Sequence, residues 1–554
     1  MPAPATQFAT PDRFHPADGT GTLIRPVTFE GHLGWLHLPA GPTRREAGVL
    51  LCAPPGRDGR CAYRPLRTLA EHLASAGFPT LRFDLLGVGD SLDPDDDADI
   101  WPRWLDGMKA AAGVLKDATG VPRLVAGGVR LGASLAASAD IGAEGLILMA
   151  PIVSGRQWLE ELELAAAAEG FETIEAEGLC LSAASAAGLA GFDLTRSTAT
   201  PARALVVAQD IQAAGVAERL ASNGCSVEML DFPGYEALFE DTDGNRPPEA
   251  VFARTMSWLE DAFPRRALQE VGGLNFSAVH IPVLHPPGAV EHLVHFGPGL
   301  SGVLCLPDGA ASDGRAALFC NTSGEPRAGV GRFAVTAART LARRGIASLR
   351  FDFAGLGDSE GGDCDHVYET SRRPDFDEAL ALLASEGFPE VVAVAAGPGA
   401  YHAIQALIDD PRIGGVFAVG ARLGWRRGEP PAPASRAPGR TRGVKDAKTW
   451  ARVLGALARR LRARIDARLH EAQGRALRAG FADVSERGGR AHLLVGPDDA
   501  SLDELEIYFG ARGRRLADLP GMSVSVQPGL DHGLARAAGR EVAMAELLDF
   551  VGAD

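Results

Sequence analysis

Cysteine is scarce and unpatterned. The chain has 7 cysteines in 554 residues, an odd number, and no two are spaced Cys-x-x-Cys. This argues against a disulfide framework and against a cysteine-rich zinc site. No metal-ligand spacing, P-loop or dinucleotide fingerprint occurs, so neither a metal nor a cofactor is expected. No apolar run approaches the ~18 residues of a membrane span. The opening residues, MPAPATQFATPDRFHPADG, lack the basic start and apolar core of a signal peptide, and a cytoplasmic location is expected. Positive charge is outnumbered, 55 Lys and Arg against 71 Asp and Glu, for a net charge of −16. Nucleic acid and anionic membrane surfaces are therefore not favoured partners. Histidine is missing altogether between His72 and His280.

What is present is ordinary globular composition, 46% hydrophobic and 23% charged, and an internal repeat. LRFDLLGVGDS (Leu81–Ser91) returns as LRFDFAGLGDS (Leu349–Ser359), an offset of 268 from Asp84 to Asp352. The similarity extends upstream. VTFEGHLGWLHLPAG (Val27–Gly41) parallels VHFGPGLSGVLCLPDG (Val294–Gly309), and GVLLCAPPG (Gly48–Gly56) parallels AALFCNTSG (Ala316–Gly324). Each half reads as a hairpin, a buried strand running into a Gly/Pro loop, an amphipathic helix, and a second buried strand ending in Arg-Phe-Asp. Continuous apolar strands separated by a helix predict a parallel sheet covered on both faces. The predicted organisation is a first domain over 1–264 with a cap at about 152–200, a linker over 265–290, and a second domain over 291–554 with a cap at about 421–490.

The Arg-Phe-Asp-x-x-Gly-x-Gly-Asp-Ser turn in this strand order resembles the α/β-hydrolase fold. It is most similar to serine-aminopeptidase-like hydrolases and to hydrolases associated with exopolysaccharide and exosortase systems. The resemblance covers nearly the whole chain, twice. It implies two tandem α/β-hydrolase-fold domains, each a mostly parallel sheet covered by helices with a helical cap. It also implies a nucleophile on a Gly-x-Ser-x-Gly elbow, followed in chain order by an acid and a histidine.

The first half departs from that pattern. Its elbow reads Gly128-Val129-Arg130-Leu131-Gly132, so a guanidinium that cannot attack a carbonyl occupies the nucleophile position. Asp210 stands at the acid position, and the segment Asp231–Gly244, where the base belongs, has no histidine. In the second half the elbow reads Ala395-Ala396-Gly397-Pro398-Gly399, with Gly397 in the nucleophile position. Asp499 is the acid candidate and His532 the base. Thr322 and Ser323, on the loop that supplies an oxyanion-hole amide in the family, are candidate substrate-binding residues. Cys320, Thr322, Ser323, Ser134 and Tyr401 are the off-elbow groups that could serve as substitute nucleophiles.

The first cap is acidic and helical by pattern. The second begins Pro/Ala/Gly/Arg-rich and continues as a basic amphipathic helix. Arg459 and Arg460 lie on it, and two uses stand beside a merely solvated face. They could bind an anionic ligand, or the basic cap could dock on the acidic one within the chain or in a homodimer. Two functional readings follow. One is an atypical ester, thioester or amide hydrolase or acyltransferase acting through the second domain, with an exopolysaccharide link implied by the resemblance. The other is a pseudo-hydrolase that holds an acyl or sugar-linked small molecule, or scaffolds a partner enzyme.

Overall fold

The structure, a computed structural model, describes residues 13–552 except 16–21, 41–42, 95–98, 170–174, 177, 209–211, 241, 243–244, 268–281, 310–313, 362–369 and 425–470. Contacts divide the chain into two compact units. One comprises 1–163, 179–286 and 290–295; the other comprises 164–178, 287–289 and 296–554.

Two nine-stranded sheets carry the fold. The first contains β1 (Arg13–His15), β2 (Thr22–Phe29), β3 (His32–Pro39), β4 (Ala47–Cys52), β5 (Thr80–Phe83), β6 (Arg123–Val129), β7 (Gly145–Met149), β8 (Arg203–Ala208) and β9 (Ser226–Asp231). Their spatial order is β1-β2-β3-β5-β4-β6-β7-β8-β9. The second contains β10 (Val283–Leu284), β11 (Ala289–Phe296), β12 (Leu300–Pro307), β13 (Arg315–Phe319), β14 (Ala347–Asp352), β15 (Glu390–Ala396), β16 (Ile413–Val419), β17 (Arg490–Val495) and β18 (Met522–Val526). Its order, β10-β11-β12-β14-β13-β15-β16-β17-β18, is the same. Strands β4 to β9 and β13 to β18 pair in parallel, while β3 and β12 run antiparallel to β5 and β14.

The register repeats as well as the order. Trp35 faces Arg82 and Leu50 faces Leu81; Val303 faces Arg350 and Leu318 faces Leu349. Both members of each pair recur at the offset of 268. Strand β4 is buried at every position because helices cover both faces of the sheet. Leu50, Ala126, Leu148 and Val206 fill one face, and Val49, Leu51, Val125, Ile147 and Val207 fill the other. That alternation is the period of two of a pleated strand. Helix α1 (Gly56–Ser75) turns Leu66, Leu69 and Leu73 inward at helical spacing, and α2 (Ile100–Thr119) does the same with Trp104, Met108, Ala111 and Leu115.

The repeated Gly-x-Gly-Asp-Ser turn is a folding device. Ser91 Oγ donates to the Asp84 carbonyl at 2.8 Å and accepts from Leu33 N–H at 2.9 Å, tying the turn to hairpin strand β3. Ser359 makes the same two bonds, to Asp352 at 2.5 Å and from Ser301 at 2.9 Å. The Asp84 and Asp352 carboxylates accept the N–H groups of Asp90 (3.1 Å) and Asp358 (3.0 Å). Glycine is required between them. A Cβ at Gly89 or Gly357 would come within 2.0 or 2.2 Å of the carboxylate, and both residues have positive φ.

The second turn is braced by a buried arginine and an asparagine. Arg327 Nη1 donates to Asp352 at 2.7 Å and to Asp358 at 2.9 Å, and Asn321 Nδ2 donates to Asp352 at 2.9 Å. All three charged side chains are at most 2% exposed. The aligned positions in the first half are Gly59 and Ala53, which can offer neither bond.

Candidate active site

Both elbows have a positive φ at the same place. Each parallel strand ends in a residue with positive φ, 52° at Arg130 and 51° at Gly397, and a helix starts there: α3 (Leu131–Ser138) in the first unit, α5 (Gly397–Asp409) in the second. A small residue must follow two places on. A Cβ at Gly132 would meet the Cys52 carbonyl at 2.2 Å, and one at Gly399 would meet the Asn321 carbonyl at 2.1 Å. The bend therefore presents residues 130 and 397 at the carboxyl end of their sheets, where α/β proteins bind ligands. Glycine adopts this conformation freely. Arginine does so with strain, which the surrounding contacts must hold.

In the first unit, Arg130 Nε donates to Asp58 Oδ2 at 3.1 Å, in the first turn of α1. Its Nη2 donates to Glu161 Oε2 at 3.1 Å, on helix α4 (Gly155–Glu169), in the segment expected to form the first cap. Burial alone would lower the guanidinium pKa. Asp58, Tyr235 and Glu161 outweigh it and hold Arg130 above its ordinary value. The nucleophile position is thus a fixed cation. Tyr235 lies in the segment where the base belongs. Asp210 lies outside the described residues. Ser134 is fully buried and donates to the Ile152 carbonyl at 2.7 Å, a structural role on α3.

In the second unit, His532 Nδ1 lies 3.0 Å from Asp499 Oδ2 and 3.1 Å from Oδ1. Asp499 caps the helix Ala500–Phe509 and accepts from the Ser501 N–H and hydroxyl, both at 2.8 Å. Its orientation is therefore set independently of the histidine. Burial would lower the His532 pKa, but its hydrogen bond and charge interaction with Asp499, assisted by Asp531, hold it above the ordinary value. Asp499 is held below its own, against burial, by His532 and Ser501. Gly420, with φ 56°, makes room for the pair. A Cβ there would come within 3.0 Å of His532 Nδ1.

At Gly397 the space for a side chain is open. A Cβ would sit 3.8 Å from His532 Nε2 and 3.8 Å from Thr322 Cγ2, ordinary contact distances. The histidine faces a place from which the nucleophile is absent. The next residue removes a second component. In a Gly-x-Ser-x-Gly elbow the residue after the nucleophile donates its N–H to the oxyanion, and Pro398 has no N–H. That deletion is readable in the sequence once the elbow is placed.

The substitute nucleophiles are poorly disposed. Burial pushes the Cys320 thiol far up, leaving no thiolate at neutral pH. Tyr401 is likewise raised by burial. Thr322 lines an apolar pocket with Val330, Phe333, Ala396, Gly533 and Leu534, and Ser323 follows it with φ 58°. Arg459 and Arg460 lie outside the described residues. Among the described residues no group of His, Cys, Asp and Glu could hold a metal ion, and no helix is long and apolar enough to cross a membrane.

No family model matches the chain, and no curated protein matches it. Among solved structures, an esterase of Pyrococcus furiosus aligns with 14% identity and a TM-score of 0.31, covering 51% of this chain and 96% of its own. A lidless α/β serine hydrolase of Xanthomonas campestris aligns with 14% identity and a TM-score of 0.31, covering 49% and 96%. A dienelactone hydrolase homologue of Klebsiella pneumoniae aligns with 14% identity and a TM-score of 0.32, covering 48% and 98%. The strand order and the turn that ends a parallel strand in each sheet give the chain two α/β units of one topology.

Proposed function

We propose that the second unit is a ligand-binding site built on an α/β-hydrolase fold without acyl-enzyme chemistry, a pseudo-hydrolase that takes an acyl or sugar-linked small molecule. The observation that carries this reading is the dipeptide Gly397-Pro398. It lacks both the attacking side chain and the N–H that stabilises the oxyanion, the two components of covalent acyl transfer that an elbow provides. The fold by itself implies ancestry of shape and no activity. The cavity beside Thr322 and Leu534 is apolar but measures only about 20 Å³, so the ligand class rests on the resemblance to acyl-cleaving and exopolysaccharide-associated hydrolases. In this reading residues 1–264 and 291–554 are the two domains, joined by 265–290.

One observation favours a second reading. The Asp499–His532 pair, at 3.0 Å, has the geometry of an orienting acid and a base, and such a pair can activate a water molecule against an ester, thioester or amide. The two readings separate in one experiment. Purified full-length protein is tested against a series of p-nitrophenyl esters and acyl thioesters beside His532→Ala. Equal, background-level hydrolysis by both supports the binding reading. Turnover by the wild type that His532→Ala abolishes overturns it in favour of hydrolysis.

A further inference from the structure

The first elbow places a guanidinium where an acyl carbonyl is attacked in a hydrolase. Its two ion pairs differ in kind. Asp58 is in the first turn of α1, is 27% exposed, and bonds Nε, which fixes the plane of the guanidinium. Glu161 comes from helix α4, is 61% exposed, and bonds Nη2. An ion pair with so exposed a partner is weak and readily exchanged with solvent or solute.

We infer that the first unit contains a carboxylate-binding site at Arg130, and that Glu161 is its internal occupant. The site takes a small organic acid whose two oxygens face the Nη1 and Nη2 edge, the bidentate geometry that guanidinium favours. The observed partner indicates the ligand class, because a carboxylate oxygen already rests 3.1 Å from Nη2. Two further features suit an anion. Leu131 and Gly132 begin α3, so their N–H groups have no helical acceptor, and the start of a helix favours negative charge. Asp58 holds the arginine in place while the ligand carboxylate replaces that of Glu161. Occupancy therefore requires α4 to release Glu161, which couples binding to the cap. The inference concerns the first unit and does not depend on the activity or inactivity of His532.

The test is calorimetric titration of full-length protein with hexanoate, and with inorganic phosphate at matched ionic strength. Wild type is compared with Glu161→Gln and with Glu161→Gln combined with Arg130→Gln or Arg130→Lys. Removing the internal carboxylate removes a competitor at high effective concentration. Glu161→Gln is expected to bind hexanoate at least about tenfold more tightly than wild type. The Arg130→Gln combination is expected to lose that gain, and Arg130→Lys most of it. Hexanoate binding by Glu161→Gln no tighter than by wild type overturns the proposal, and so does a gain that survives loss of Arg130. Phosphate binding as tight as hexanoate overturns the assignment of the site to carboxylates. The Glu161→Gln comparison stands alone if the Arg130 variants do not fold.

Discussion

Arg130 and Gly397 end equivalent strands with φ of 52° and 51°, and the glycine two places later packs against a carbonyl of the neighbouring loop in both. The chemistry around the two turns differs in opposite directions. The first elbow keeps a residue with an N–H after its tip, Leu131, but carries arginine at the tip and has no histidine in the base segment. The second has the Asp499–His532 pair but neither a side chain at its tip nor an N–H on Pro398. Backbone shape at an α/β elbow is set by strand–helix packing, so it persists whatever residue occupies the tip. Catalytic competence needs several groups at once, and each turn lacks a different subset.

The braces behind the turns differ too, and there the largest effect is expected. Arg327→Leu leaves Asp352 and Asp358 buried without their cation and should destabilise the second unit by about 3–5 kcal/mol. Hydrogen exchange should show strands β12 to β14 losing protection while β3 to β5, whose turn has Gly59 at the matching place, keep theirs. Equal loss in both sheets would show that the brace is not specific to the second turn.

The next largest effect is a gain. Gly397→Ser puts a hydroxyl beside His532 Nε2 in space that is already open. Combined with Pro398→Ala, which restores the N–H, it should hydrolyse p-nitrophenyl acetate about 10²–10³ times faster than Gly397→Ser alone, the usual value of one oxyanion donor. Equal rates for the two variants would show that Pro398 is not what disables this elbow.

Acid should separate the halves as well. His32 is buried in the first hairpin, with Nδ1 3.2 Å from the Phe29 carbonyl, and burial lowers its pKa to about 4. The unfolded chain binds that proton at its ordinary value of 6.5. Stability contributed by neutral His32 is therefore complete above pH 6.5 and is lost as pH falls toward about 4, by about 3 kcal/mol. The aligned residue in the second half is Leu300. His32→Leu should flatten this part of a denaturation-versus-pH series. An unchanged slope would assign the acid sensitivity to other groups.

The smallest effect concerns the pair itself. His532 is raised by Asp499, so its contribution is complete below the ordinary histidine value of 6.5 and is lost as pH rises through the folded value. The lowered Asp499 contributes above 3.8 and loses that contribution as pH falls. Asp499→Asn leaves His532 with its burial and should move its titration below 6.5, at a cost of about 1 kcal/mol, read from the imidazole resonances by NMR. No movement would mean that Asp499 is not what sets the charge on His532.

By itself the sequence determined the repeat, the order of strands and helices along the chain, and the parallel-sheet class. These follow from patterns the chain carries locally: apolar runs of strand length and leucines at helical spacing. The missing nucleophiles at 130 and 397 and the missing donor at 398 are also local facts of residue type. Only the tertiary structure decided which side chains surround them. Asp58, Glu161 and Tyr235 are 72, 31 and 105 positions from Arg130, and no periodicity links residues on different strands and helices. The same holds for the buried Arg327–Asp352–Asp358 cluster and for the burial that silences Cys320. Burial and charge pairing depend on distance in space, and folding brings distant segments together according to packing, which a reading along the chain does not contain.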